Sequence, residues 1–287
     1  MKENKTIEKP VRLDLKRLFM QKNPRLAPYI PWFIYAYLNR VLHIGEINDF
    51  LAVHGTKVGL EFTKEVIKDF NVTVSLKGAE NLPEQGRFIF ASNHPLGGFD
   101  GMLLLTELNR RYHDVRSLSN DILMSFENLS PLFIPINKYG TMTHESVLAL
   151  EETMDSDIQV LTFPSGLVSR RTKGVIIDPP WQKSFISKAV QHKRDVVPVH
   201  VTGRCTNFFY NLSSFRKFLG IKTNIEMFYL ADETYRHKNK HFTVTFGKPV
   251  SYTTFDRRKR PDAWAKSMQN YVYSLGEGNT KPFDPNY

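Results

Sequence analysis

The chain of 287 residues contains a single cysteine, Cys205, so no internal disulfide can form, as expected of a reducing compartment. No run of about 18 apolar residues occurs, which excludes an obvious bilayer-spanning helix. The segment MKENKTIEKPVRLDLKR is charged and lacks an apolar stretch, so no secretory signal is expected there. The chemical motifs with the most recognisable spacing are missing too. No Gly-x-x-x-x-Gly-Lys loop is present to cradle nucleotide phosphates, and no His-Glu-x-x-His pair to hold zinc. Thr162-Phe163-Pro164-Ser165-Gly166 lacks the first glycine of a serine-hydrolase nucleophile elbow. His237 and His241 are four apart, but in a lysine-rich stretch that suits a solvated turn better than a cation site. Repeats, low-complexity tracts and a convincing linker are also lacking.

What is present is positive charge. The net charge of +10 suits an anionic membrane surface, an acidic protein partner or nucleic acid. The clusters at Arg170-Arg171-Lys173, 237–241 and 257–260 lie in no recognisable nucleic-acid motif, so no nucleic-acid partner is expected. Hydrophobic content of 41% is enough for a sizeable core.

Residues 1–27 read as a polar, partly helical lead-in. Residues 28–55 are dense in aromatic and aliphatic side chains, but the apolar centre, Pro31 to Leu38, is too short to span a bilayer. This segment is either a helix lying in the membrane interface, where Trp and Tyr are favoured, or a helix packed over the main domain. From residue 72 short apolar strands alternate with amphipathic helices. NVTVSLKG, RFIFAS, VRSLS, LFIPIN, IQVLTF, VVPVHV and HFTVTFGKPVS read as strands. GMLLLTELNRRY, HESVLALEETM, KSFISKAVQHK and DAWAKSMQNYVYSLG read as helices. The expectation is an α/β fold: a mixed, largely parallel sheet flanked by helices, with an N-terminal helical cap over 1–65 and a catalytic domain over 66–287.

In such sheets ligands bind beyond the carboxyl ends of the strands. Four strands lead into chemically loaded loops. SNHPLGGFDG carries Asn93, His94, Gly97, Gly98 and Asp100; NKYG carries Lys138. FPSGLVSRR carries Pro164, Ser165, Gly166, Arg170 and Arg171, and Thr202-Gly203-Arg204 follows VVPVHV. A histidine followed by three glycines and an aspartate is more than a turn requires. A carboxylate fixes the imidazole tautomer and steadies its cationic form, while glycines let a substrate approach the backbone.

SNHPLGGFDG, then FPSG, then VVPVHV resemble, in order and spacing, the glycerophosphate/lysophospholipid acyltransferase superfamily over roughly residues 70–250. The usual signature has four residues between histidine and aspartate, and here five separate His94 from Asp100. With the PLGG insert, that looks like the hemolysin-like branch, which includes bacterial N-acyltransferases that make ornithine or glycine lipids. FPSGLVSRR, WQKSF and TGRCTNFFY extend the similarity. By resemblance His94 is the general base and Asp100 its orienting partner, with no acyl-enzyme and no metal required. Backbone N–H groups at Gly97 and Gly98 would stabilise the oxyanion, and Asn93, Pro164, Ser165 and Gly166 would line the substrate site. Ser165 stands where the family often has glutamate, and Lys138 where it often has a phosphate-holding arginine. Both departures favour an amino-acid-type acceptor, with Arg170, Arg171 and Lys183 either holding its carboxylate or a pantetheine phosphate, or forming a solvated rim.

The resemblance implies no bound cofactor. It implies a fatty acyl chain, plausibly 3-hydroxylated, moved from acyl carrier protein (or acyl-CoA) onto the amine of glycine or ornithine. The alternative acceptor is a lysophospholipid hydroxyl, as in 1-acylglycerol 3-phosphate. The implied setting is cytoplasmic, peripheral on the inner face of an anionic membrane. The positive charge is compatible with an acidic carrier-protein partner. A basic binding module would explain the charge but not the His94–Asp100 loop, and a pore-former would need a spanning segment.

Overall fold

The computed structural model describes Ile7 and residues 10–25, 27–119, 127–135 and 143–286. Nine strands occur among them: β1 (Thr73–Lys77), β2 (Phe88–Ser92), β3 (Val115–Ser119), β4 (Phe133–Pro135), β5 (Gln159–Thr162), β6 (Arg170–Thr172), β7 (Val175–Ile177), β8 (Asp195–Val201) and β9 (His241–Phe246). Seven of them form one sheet in the order β1-β9-β8-β2-β5-β3-β4, while β6 and β7 form a separate antiparallel hairpin. Every pairing in the large sheet is parallel except β8 with β9. The fold is therefore α/β with a mixed, mostly parallel sheet, as the alternation of strands and helices predicts.

The helices are α1 (Leu15–Lys22), α2 (Trp32–Val41), α3 (Ile44–His54), α4 (Gly59–Asp69), α5 (Gly98–Leu108), α6 (His144–Asp155), α7 (Ser184–Gln191), α8 (Asn207–Phe218), α9 (Leu230–Tyr235) and α10 (Pro261–Gly276). They cover both faces of the sheet, which is why the central strands are apolar without alternation. All five residues of β2 are buried. Successive side chains of a strand point to opposite faces. Phe88 and Phe90 accordingly join the core built with Phe62 and Val66 of α4 and Leu103, Leu104 and Leu105 of α5. Ile89 and Ala91 join the core on the other face, with Phe185 and Ile186 of α7 and Trp264, Met268 and Val272 of α10. Fully buried Arg194 donates to the carbonyls of Thr153, Met154, Ser156, Ile158 and Phe88, closing the carboxyl end of α6 onto the sheet.

The aromatic segment 28–55 is not one helix. It breaks at Leu42–His43, where His43 adopts a left-handed conformation (φ 52°) as the first residue before α3. The His43 ring is held there by Glu46 (2.9 Å), Asp232 (3.1 Å) and a stacked Tyr235. Tyr35 is buried, and Tyr37 shares a 2.6 Å hydrogen bond with Tyr229, so α2 packs on the body of the protein. Trp32 on the same helix nonetheless remains 80% exposed. No helix among the described residues is long and apolar enough to cross a membrane.

His237 lies in the core against Phe99 and Phe242, and neither ring nitrogen has a hydrogen-bond partner among the described residues. Burial holds its pKa down at about 4, against an ordinary 6.5. The unfolded chain thus binds the proton more readily than the folded one. The stability tied to neutral His237 is complete above pH 6.5 and is lost as pH falls from 6.5 towards 4, a change on the order of 3 kcal/mol. Urea titrations should therefore show a falling midpoint across that window, flattened in His237→Leu. A variant profile parallel to the wild type would refute the assignment.

Candidate functional site

β2 ends the buried apolar run and delivers Asn93 and His94 to the carboxyl edge of the sheet, between the ends of β5 and β8. The Asn93 amide spends both its groups on Val201, donating to the carbonyl (2.9 Å) and accepting from the N–H (2.7 Å). It is a buried brace between strand ends, not a group that faces a substrate. The chain then turns through Gly97, whose φ of 72° and ψ of −138° favour glycine, into α5. A Cβ at Gly97 would also lie 3.2 Å from Leu230, whereas one at Gly98 would meet nothing within 4 Å.

Asp100, in the first turn of α5, is completely buried. Its carboxylate receives His94 Nδ1 at 2.9 and 3.0 Å, and Oδ2 also accepts the Leu96 N–H at 2.9 Å. The acid therefore folds back onto the histidine and fixes the turn between them. With Nδ1 donating to a carboxylate, the proton sits on that nitrogen and Nε2 carries the free lone pair. Nε2 makes no hydrogen bond among the described residues, and the side chain is 17% exposed. Phe163 stacks on the imidazole at 4.3 Å, fixing its plane.

A second carboxylate, marked by no motif in the sequence, lies behind the histidine. Asp178 is buried and accepts the His94 backbone N–H with both oxygens at 3.2 Å. It also accepts Ser169 Oγ (2.6 Å) and Trp181 Nε1 (3.1 Å), while its own N–H donates to Tyr273 Oη. Burial pushes its carboxyl up from the usual range, and these donors oppose that shift. A lone acid between the apolar VII and the PPW of VIIDPPW was the available signal. Asp178→Asn would offer one acceptor oxygen where two serve these donors. It should lower kcat about 10- to 100-fold through a displaced His94, with KM little changed. Steady-state kinetics beside a melting curve check this, and an unaltered kcat would remove Asp178 from the machinery.

The FPSG turn closes one wall. The Gly166 N–H donates to the Phe163 carbonyl (2.8 Å), and the Pro164 carbonyl accepts from Gln182 (2.9 Å). Ser165 is buried and its hydroxyl donates to Leu167 within the turn, so Gly166 is the exposed tip. Lys183 is exposed at the start of α7, next to Gln182. Arg170 points inward, contrary to the substrate contact its motif suggests. It is 3% exposed, paired with Glu226 at 3.2 Å and lies over the Phe209 ring. Arg171, its neighbour on β6, points the other way and bonds Asn207 and Asn211 of α8. Lys138 lies outside the described residues. No group of three His, Cys, Asp or Glu side chains among the described residues is arranged to hold a metal ion.

Comparison with known proteins adds an independent line. The model of a family described as Acyltransferase matches residues 17–262. A lyso-glycine lipid O-acyltransferase of Bacteroides thetaiotaomicron is 46% identical over 264 residues, covering 92% of this chain and 97% of that protein. One of the same name from Phocaeicola vulgatus is 44% identical, covering 92% and 95%. Among solved structures, the 1-acyl-sn-glycerophosphate acyltransferase of Thermotoga maritima aligns over 93% of this chain and 97% of its own, with 16% identity and a TM-score of 0.47.

Proposed function

The chain belongs to the acyltransferase family and is an enzyme of lipid biosynthesis; from that premise we propose that it esterifies the hydroxyl of a lyso-glycine lipid with an acyl group taken from a thioester. The observation that carries the chemistry is the Asp100-braced imidazole of His94 with its free Nε2. The acceptor is taken from the shared name of the two relatives. Glycine offers only an amine and a carboxylate, so once the amine is acylated an O-acyltransferase must find its hydroxyl on the acyl chain. A 3-hydroxyacyl chain provides one. The reading thus differs from the sequence expectation at the acceptor atom, a hydroxyl in place of an amine.

His94 Nε2 removes the hydroxyl proton as the oxygen attacks the thioester carbonyl, and the Asp100 carboxylate steadies the imidazolium. Backbone N–H groups of Gly97 and Gly98, at a helix start where such donors lack intrahelical partners, are the donors assigned here to the developing oxyanion. Collapse of the tetrahedral adduct forms the ester and breaks the C–S bond, and the leaving thiolate takes the proton back from His94. No acyl-enzyme is needed. Cys205 is a poor nucleophile, since it is buried, donates to the Pro95 carbonyl and has its thiol pushed well above the usual pKa.

The donor is acyl carrier protein or acyl-CoA, and the net charge of +10 favours encounter with an acidic carrier. The lipid acceptor is reached at an anionic membrane surface. Exposed Trp32 and Phe33 on α2 and Phe208, Phe215 and Phe218 on α8 support that reading, because aromatic side chains partition into the headgroup zone.

Purified protein should be given an acyl thioester with N-(3-hydroxyacyl)glycine, free glycine or 1-acylglycerol 3-phosphate, and the products weighed by mass spectrometry. A new ester on the N-acylglycine alone is expected. Acylation of free glycine would restore the amine reading, and transfer confined to 1-acylglycerol 3-phosphate would establish the phospholipid alternative.

A further inference from the structure

Two arginines on segments bonded to the His94 loop have no acid to answer them among the described residues. Arg171 of β6 donates to Asn211 Oδ1 (2.6 Å) and Asn207 Oδ1 (2.8 Å). Arg204, in the loop after β8, donates to the same Asn207 oxygen and to the Cys205 carbonyl. Both guanidinium carbons lie 5.7 Å from the centre of the Tyr210 ring. Among the described residues every hydrogen-bond partner of the pair is neutral, yet the two cations converge on one oxygen and one ring. Like charges brought together in this way repel, and a bound anion relieves the repulsion. Arg170 and Arg216, close by, show the contrast: both are answered by buried Glu226.

The place of the pair is as informative as its charge. Ser169, just before the two arginines of β6, donates its N–H to the His94 carbonyl (2.9 Å). Cys205, next to Arg204, donates its thiol to the Pro95 carbonyl (3.5 Å), and its N–H donates to Tyr210 Oη (3.0 Å). Both arginine-bearing segments are thus stitched to the backbone that carries the catalytic histidine. Asn207 opens α8, whose amino-terminal dipole adds positive potential at the same spot. The nearby acid Glu233 is buried and committed to the N–H and hydroxyl of Thr206.

We propose that Arg171 and Arg204 form a clamp for the free carboxylate of the acceptor's glycine headgroup. This deepens the lyso-glycine lipid reading and rests on it. In that acceptor a short run of covalent bonds separates carboxylate from hydroxyl, so a clamp on one end positions the other at His94 Nε2. Planar guanidinium forks match the geometry of a carboxylate, and two of them fix its direction.

The test uses N-(3-hydroxyacyl)glycine and its glycinamide counterpart, which keeps the hydroxyl and loses the charge. The variants are Arg171→Gln, Arg204→Gln and the pair together, at positions exposed enough to fold. The double variant should raise KM for the glycine acceptor about 10- to 100-fold, with kcat within about threefold. Wild-type enzyme given the glycinamide should fall to the same level. Unchanged KM, or an equal loss on both acceptors, overturns the clamp. A raised KM for the acyl donor alone also overturns it and assigns the cations to the donor's phosphate. Wild-type enzyme that esterifies neither acceptor refutes the lyso-glycine reading itself, and the clamp falls with it.

Discussion

His94→Ala is expected to lower kcat/KM for acyl transfer by about 10³- to 10⁴-fold while leaving the fold intact. General-base assistance by a positioned imidazole is worth up to that much. The ring is partly exposed and packs chiefly on Phe163, so its loss costs little core burial. Circular dichroism and a melting temperature close to wild type would separate chemistry from folding. Asp100→Asn sharpens the test. The aspartate serves two donors, His94 Nδ1 and the Leu96 N–H. An asparagine oxygen satisfies only one of them. If it faces Leu96, its NH2 group faces Nδ1, forces the proton onto Nε2 and removes the base. If it faces Nδ1, the turn between histidine and helix loses its anchor. A fall of about 10²-fold or more is expected either way. Full turnover by His94→Ala would eliminate the general-base mechanism.

Glu226→Gln should destabilise the protein by about 3–5 kcal/mol, one of the largest effects open to a single side chain here. Glu226 is fully buried and lies 3.2 Å from Arg170 and 2.9 Å from Arg216, with Ser213 donating to it as well. Neutralising it leaves two buried guanidiniums without an acid. For a chain of this size that corresponds to a fall in Tm of roughly 10 °C, readable by calorimetry. Adding Arg170→Met should recover part of the loss, because one uncompensated charge is removed with it. A Tm shift below about 2 °C would show that the cluster contributes little. At temperatures where Glu226→Gln stays folded, KM for the acceptor should hold near wild type, since Arg170 braces the β6–β7 hairpin rather than the substrate.

The order of strands and helices was legible because parallel strands buried on both faces read as short apolar runs, as in RFIFA and VVPVHV. The β6–β7 hairpin was not, because three residues are too few to show a period and β6, Arg-Arg-Thr, is not an apolar run. The break at His43 was also hidden, since apolar residues continue on both sides of it and the left-handed turn is held by Asp232 and Tyr235, far away in the chain.

The fold class and the candidate pair of His94 and Asp100 were legible in the sequence because both are local. Strand and helix periods repeat within about ten residues, and His94 and Asp100 are joined by one glycine-rich turn. Which basic residues face outward depends on how distant segments pack. Arg170 and Arg171 are neighbours in sequence, and a strand sends successive side chains to opposite sides. Glu226 therefore takes one of them into the interior, while α8 holds the other beside Arg204. Asp178 reaches His94 only because the hairpin folds back over the end of β2. Groups distant in sequence meet through packing, and no spacing along the chain records where they will meet.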